Sequence, residues 1–152
     1  MAKQELEKKK VVELLNRILE MELAGAVRYT HYSLMVFGHA RIPIIGWMRN
    51  QATEGMSHAA MAGEHVTSLG GHPSLNIGKL VESHKHDITQ ILGEALDHER
   101  VTLREYYNLL ALVVDKSVWL EEYAREQITL EEQHIAEVDK MMRKPGVLHP
   151  TG

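Results

Sequence analysis

Cysteine is absent from the 152 residues, which removes disulfide frameworks, thiolate zinc sites, iron–sulfur clusters and cysteine nucleophiles together. Long apolar runs are absent too. Nothing approaches the ~18 residues of a membrane span, and the opening Met1-Ala2-Lys3-Gln4-Glu5-Leu6-Glu7 has no signal-peptide apolar core. Excess positive charge is missing: the formal net charge is −4, which argues against nucleic acid as the main partner. What is present is 44% apolar and 25% charged residues, the balance of a globular chain. The length is that of one core. These counts predict a single domain over 1–152 that stays in the cytoplasm, with no membrane partner. Ten histidines are the first hint of metal.

Proline is scarce, occurring only at 43, 73, 145 and 150. Together with the glycine clusters these prolines cut the chain into four segments. The first runs from Glu5 to Phe37 and stops at Gly38. The second opens at Ile42-Pro43, a proline suited to a first helical turn, and closes at Gly70-Gly71. The third runs from Ser83 to Asp115. The fourth follows Ser117, a good N-cap, and ends before Pro145-Gly146.

Apolar residues step by three and four through each segment, the period of one helix face. In the first the line is Leu15, Ile18, Glu22, Ala26, Tyr29, Ser33, Val36. In the second it is Met48, Ala52, Gly55, Ala59, Ala62, Val66, Leu69. In the third it is Leu92, Leu96, Glu99, Leu103, Tyr106, Leu110, Val113. In the fourth it is Ala124, Ile128, Glu131, Ile135, Val138, Met142. No turn signals recur at strand spacing, so the spacing predicts an all-α fold. Helices of about 28 residues are roughly 42 Å long, and the short connections make each pair an antiparallel hairpin. The stretch from Gly70 to Glu82 spans roughly 43 Å when extended, enough for one long crossover loop between the hairpins. The bundle then covers about 5–143, with a short tail over 144–152.

Three of the four buried lines carry a glutamate at mid-helix: Glu22, Glu99 and Glu131. A carboxylate in an apolar core costs several kcal/mol unless it is paired or bound to a cation, and no lysine or arginine lies on these lines. The two halves also repeat. Glu22 precedes Tyr29 by seven residues, as Glu99 precedes Tyr106; His58 and His134 follow their glutamates at nearly equal distances. Glu131 and His134 form a Glu-x-x-His on one helix face. Carboxylates with one imidazole on each side suit iron or manganese, and also zinc.

The chain resembles the ferritin-like superfamily, and specifically the bacterioferritins, over roughly Leu14 to Met142. The likeness rests on Leu15-Asn16-Arg17-Ile18-Leu19 leading to Glu22 and Tyr29, on Met56-Ser57-His58-Ala59, on Ile77-Gly78-Lys79-Leu80, and on Leu130-Glu131-Glu132-Gln133-His134-Ile135. It implies a ferritin-like four-helix bundle with a di-metal carboxylate centre. By that resemblance Glu22 and Glu99 are the terminal ligands, Glu131 a bridging ligand, and His58 and His134 the imidazoles. Tyr29 and Tyr106 stand behind them. The family binds iron, oxidises Fe(II) with O2 or H2O2, and stores the ferric product inside a hollow shell.

One position departs from the family pattern. A second Glu-x-x-His would need glutamate at 55, where this chain has Gly55. Glu54 lies one residue earlier, about 100° off that line. Either a one-residue bulge brings Glu54 inward, or a bridging carboxylate is missing and one metal position is weak; the second reading is preferred, and it leaves ferroxidase turnover less secure than metal binding. On the third helix, Glu99 is preferred to His98 because it lies in the apolar stripe. Met56 stands where bacterioferritins place a haem-ligating methionine, so haem is a further cofactor the resemblance raises. His65, two turns after His58, could form a cation stripe with Glu54, although a solvated flank is the plainer account.

Two other functions compete with an iron-oxidising protein. A DNA-protecting miniferritin would need a histidine twelve residues after His31, where Pro43 stands, and an acid at Ala60. A structural or haem-carrying shell subunit with a degenerate metal site would explain Gly55 and Met56. Self-association into a closed shell follows from the resemblance. The tail after Pro145-Gly146 holds too few residues for a fifth helix, so a 12-subunit shell is expected over a 24-subunit cage or a dimer.

Overall fold

The structure, a computed structural model, describes residues 4–149. Within them the chain forms four helices and no strand: α1 (Lys8–Met35), α2 (Arg41–Ser68), α3 (Ile88–Val113) and α4 (Val118–Met142). No helix among the described residues is long and apolar enough to cross a membrane. The start of α4 is as the sequence predicts, with the Ser117 hydroxyl accepting from the Leu120 N–H. The third helix begins later than expected. Asp87, not Ser83, caps it by accepting from the N–H groups of Thr89 and Gln90, so the crossover extends to residue 87. Gly70 ends the second helix at φ +82°, and Gly71 returns its N–H to the Val66 carbonyl at 2.9 Å, as a left-handed terminus requires.

The buried faces follow the three-and-four spacing closely. Every residue of the predicted α1 line is buried; in α3 and α4, Leu103, Leu110, Ile135 and Met142 are half-buried flanks of the core. Leu14, Leu15, Ile18, Ala62, Val66, Tyr106, Leu109 and Ala124 make the core at one end. Tyr29, Tyr32, Val36, Met48 and Ile91 make a second cluster at the other end. Between the two clusters lie the glutamates.

The crossover runs along the outward face of α1. The Asn16 amide donates to the His72 carbonyl and its oxygen accepts from the Ser74 N–H. Further on, the Gly78 N–H donates to the Glu20 carbonyl at 2.8 Å, and Arg28 reaches the Lys79 carbonyl. A Cβ at position 78 would sit 3.0 Å from the Glu20 oxygen, so glycine is what allows the loop this close to the helix. The path delivers α3 antiparallel to α1: Tyr32 pairs with Glu94, and Glu22 with Tyr106.

Candidate metal centre

Glu22, Glu99 and Glu131 converge from α1, α3 and α4, at 6%, 8% and 5% exposure. Glu22, His58 and Glu131 each offer one donor atom within 4.8 Å of the others. His58 Nδ1 lies 3.6 Å from Glu22 Oε2, and His134 Nε2 lies 3.3 Å from Glu99 Oε1. The two hairpins thus contribute one Glu–His pair each, with Glu131 beside them. A cavity of about 450 Å³ opens over this cluster.

The tyrosines cross between halves. The Tyr106 hydroxyl, from the second hairpin, donates to Glu22 Oε1 at 2.9 Å. Tyr29, from the first, shares a 2.9 Å hydrogen bond with His134 Nε2. Each tyrosine therefore orients a group belonging to the opposite hairpin. Trp47 stacks on the other side of His134, with ring centroids 5.7 Å apart and planes 7° from parallel. Nothing in the sequence reading singled out Trp47. The available signal was its position eleven residues before His58, about three helical turns and so the same face.

Electrostatically the cluster is unbalanced. Burial and the facing Glu99 carboxylate push the Glu131 pKa well above the usual range. Burial also disfavours the Glu99 carboxylate, but hydrogen bonds with Glu131 and His134 outweigh it and hold Glu99 low. Burial raises Glu22 despite His58, and the Glu22 carboxylate in turn raises His58. One oxygen, Glu131 Oε2, is buried without any hydrogen-bond partner. A divalent cation satisfies that oxygen, and three carboxylates with two imidazoles are the donors it prefers.

The structure bears on the sequence expectations for three positions: Glu54, Gly55 and His65. α2 is continuous from Arg41 to Ser68, so no bulge turns Glu54 inward. Glu54 nevertheless lines the cavity: it lies one helical turn before His58, only about 40° away on the helix. It is exposed, and its charge reaches both His58 and Glu131. Gly55 lines the same cavity and also packs closely on α1. A Cβ there would stand 3.1 Å from the Glu22 carbonyl and 3.3 Å from Ala26, so glycine is where α2 touches the α1 backbone. His65 is neither a cation ligand nor a solvated flank; it is buried against Tyr123 and Trp119, with ring centroids 4.2 and 4.7 Å away.

His98 Nε2 donates to the Met21 carbonyl, 3.0 Å away, while Glu99 takes the place opposite His134. Met56 lies apart from the cluster, exposed at an apolar groove with Val27, Leu34 and Ala52.

Solved structures share this architecture. A ferritin-like diiron-carboxylate protein from Bacillus anthracis str. Ames is 22% identical, with a TM-score of 0.81 over 90% of this chain and 97% of its own. A dodecameric thioferritin, the bacterioferritin-related protein from Bacteroides fragilis, is 20% identical, with a TM-score of 0.80 over 90% and 86%. The bacterioferritin of Desulfovibrio desulfuricans, which has a diiron site, is 27% identical, with a TM-score of 0.76 over 89% and 79%. No curated protein gives a significant sequence match. The family model of the ferritin-like domain matches residues 12–145. With four helices, a long crossover and this match over most of its length, the chain belongs to the ferritin-like domain family.

Proposed function

We propose that this protein takes up Fe(II) inside the bundle and oxidises it with O2 or H2O2, for iron storage or detoxification. The observation that carries the reading is the convergence of Glu22, His58 and Glu131 around a buried carboxylate oxygen that has no protein partner. In this reading Glu22 and His58 hold one position, Glu99 and His134 the other, and Glu131 lies between them. Glu54, exposed at the mouth, completes the first position when iron enters. Each Fe(II) would give up one electron on becoming Fe(III), so two ions together would supply the two that H2O2, or O2 reduced to H2O2, accepts; manganese or zinc would fit the same donors.

The chain's own groups have defined tasks. A cation held at the centre would favour the ionised form of the Glu131 carboxylate, which burial otherwise disfavours. Tyr106 and Tyr29 hold Glu22 and His134 in place, and Trp47 covers one face of the His134 ring. Haem at Met56 is not needed for this chemistry. The two iron positions are unequal, because Glu54 reaches its position from solvent whereas Glu99 is buried.

Anomalous scattering at the iron edge from crystals soaked in Fe(II), together with the absorbance of ferric product, tests the reading. The expected result is iron between Glu22, His58, Glu99, Glu131 and His134, with Glu54→Gln lowering one position more than the other. Oxidation at the wild-type rate in Glu131→Gln, or iron bound elsewhere only, would sink it.

A further inference from the structure

A second set of donors gathers outside the bundle. His31 follows Glu22 by nine residues, about two and a half turns, which puts it on the opposite face of α1. That face is the one the crossover covers through Glu20, Ala24 and Arg28. Glu82 and His86 come from the far end of the same crossover. His31 Nε2 lies 2.7 Å from Glu82 Oε2, and His86 Nε2 lies 3.2 Å from Glu82 Oε1. One donor atom from each of the three lies within 4.8 Å of the others, and the two imidazole rings are 6.1 Å apart.

The chemistry of this set differs from that of the buried one. Two imidazoles and one carboxylate suit a borderline divalent transition ion and leave its other positions to water. The carboxylate is also aimed. Glu82 Oε1 accepts the His84 N–H at 2.6 Å, and that backbone hydrogen bond, with help from the two histidines, holds the Glu82 pKa at about 2. At neutral pH the Glu82 carboxylate is therefore ionised, with one ring nitrogen of each histidine beside it.

We propose that His31, Glu82 and His86 form a surface site for a divalent ion of the zinc or ferrous class, which ties the crossover to α1. The site is independent of the buried centre. Bound metal would join residues 51 and 55 positions apart in sequence through one chelate, at the end of the long crossover between α2 and α3. Lys85 lies inside this chelate and is exposed, so cleavage after it reports whether the loop is held.

Zn(II) alone is the probe, titrated into the full chain by calorimetry, with trypsin cleavage after Lys85 followed in parallel. Wild type and Glu131→Gln should both show the surface binding event and a several-fold slower cleavage in Zn(II). The His31→Ala/His86→Ala variant should lose the event and the protection while retaining wild-type helix content, and Glu82→Gln should weaken binding at least tenfold. Full Zn(II) binding in the double-histidine variant overturns the site, as does loss of the Lys85 protection in Glu131→Gln alone. Because Glu131→Gln disables only the buried centre, failure there leaves this result readable.

Discussion

Burial decides which ionisable groups matter here, and two residues show it in opposite ways. Burial and the Glu99 carboxylate favour the protonated form of Glu131, which glutamine closely mimics. Glu131→Gln should therefore change the melting temperature of the metal-free protein little. It should remove most of the metal-induced gain, which at a hundredfold excess over Kd is about 2.7 kcal/mol, or roughly 5–10 °C for a chain of this size. Glu7→Gln, at an exposed pair with Lys10, should keep that gain. Scanning calorimetry with and without metal checks both. His65 works the other way, since burial lowers its pKa below the ordinary 6.5 and its Nδ1 has no partner. Above pH 6.5 both folded and unfolded states are neutral there, and the ring's packing counts in full. As pH falls through that value the unfolded chain takes up a proton that the folded state resists, so stability drops. His65→Phe should flatten the dependence of the urea midpoint between pH 7 and 5; an unchanged slope would count against this account.

Helix contacts explain the glycine that the sequence makes look like a missing ligand. In an exposed helix, Gly→Ala gains ~1 kcal/mol from propensity. At position 55 the new methyl group meets the Glu22 carbonyl and Ala26, and forcing packed helices apart costs about 1–3 kcal/mol. Gly55→Ala should thus lower stability and shift Glu22, which is carried on the displaced turn. Gly55→Glu should meet the same contact and cost stability at least as much, although position 55 also borders the cavity. Chemical denaturation and iron stoichiometry of both variants test this; a more stable Gly55→Ala protein would refute the close contact. The crossover belongs to the same scale. Its path depends on Asn16, Gly78 and Arg28 meeting it in turn, contacts that no periodicity announces.

At the level of the whole molecule, the fold leaves apolar surface on the outer side of the α1–α2 hairpin, where Val27, Leu34 and Met56 are exposed beside a groove. Burying such a face in a repeated contact is the ordinary route to a closed symmetric assembly. The twelve-subunit shell expected from the sequence is the assembly we propose for burying this face. Light scattering should give about 208 kDa, twelve times 17.3 kDa; roughly 35 kDa, or twice the dodecamer mass, would replace that number. Charged substitution at Leu34 should shift the mass downward while leaving helix content intact.

The sequence alone determined the helices and the line each one buries, because a 3.6-residue period writes one face into residue spacing. Glu22, Glu99 and Glu131 were legible for the same reason: each interrupts an apolar stripe, and a lone buried carboxylate has to be satisfied. The choice of Glu99 over His98 also followed from that stripe. Tertiary structure decided the rest. Which tyrosine serves which hairpin, where Glu54 stands, and why position 55 is glycine depend on how α2 lies against α1, a distance between helices that spacing within one helix does not encode. His65 reads as a flank until Trp119 and Tyr123 arrive from α4 to cover it. The His31–Glu82–His86 cluster joins a helix to a loop half a hundred residues away, and the loop's contacts with Asn16, Arg28 and the α1 backbone at Gly78 bring them together.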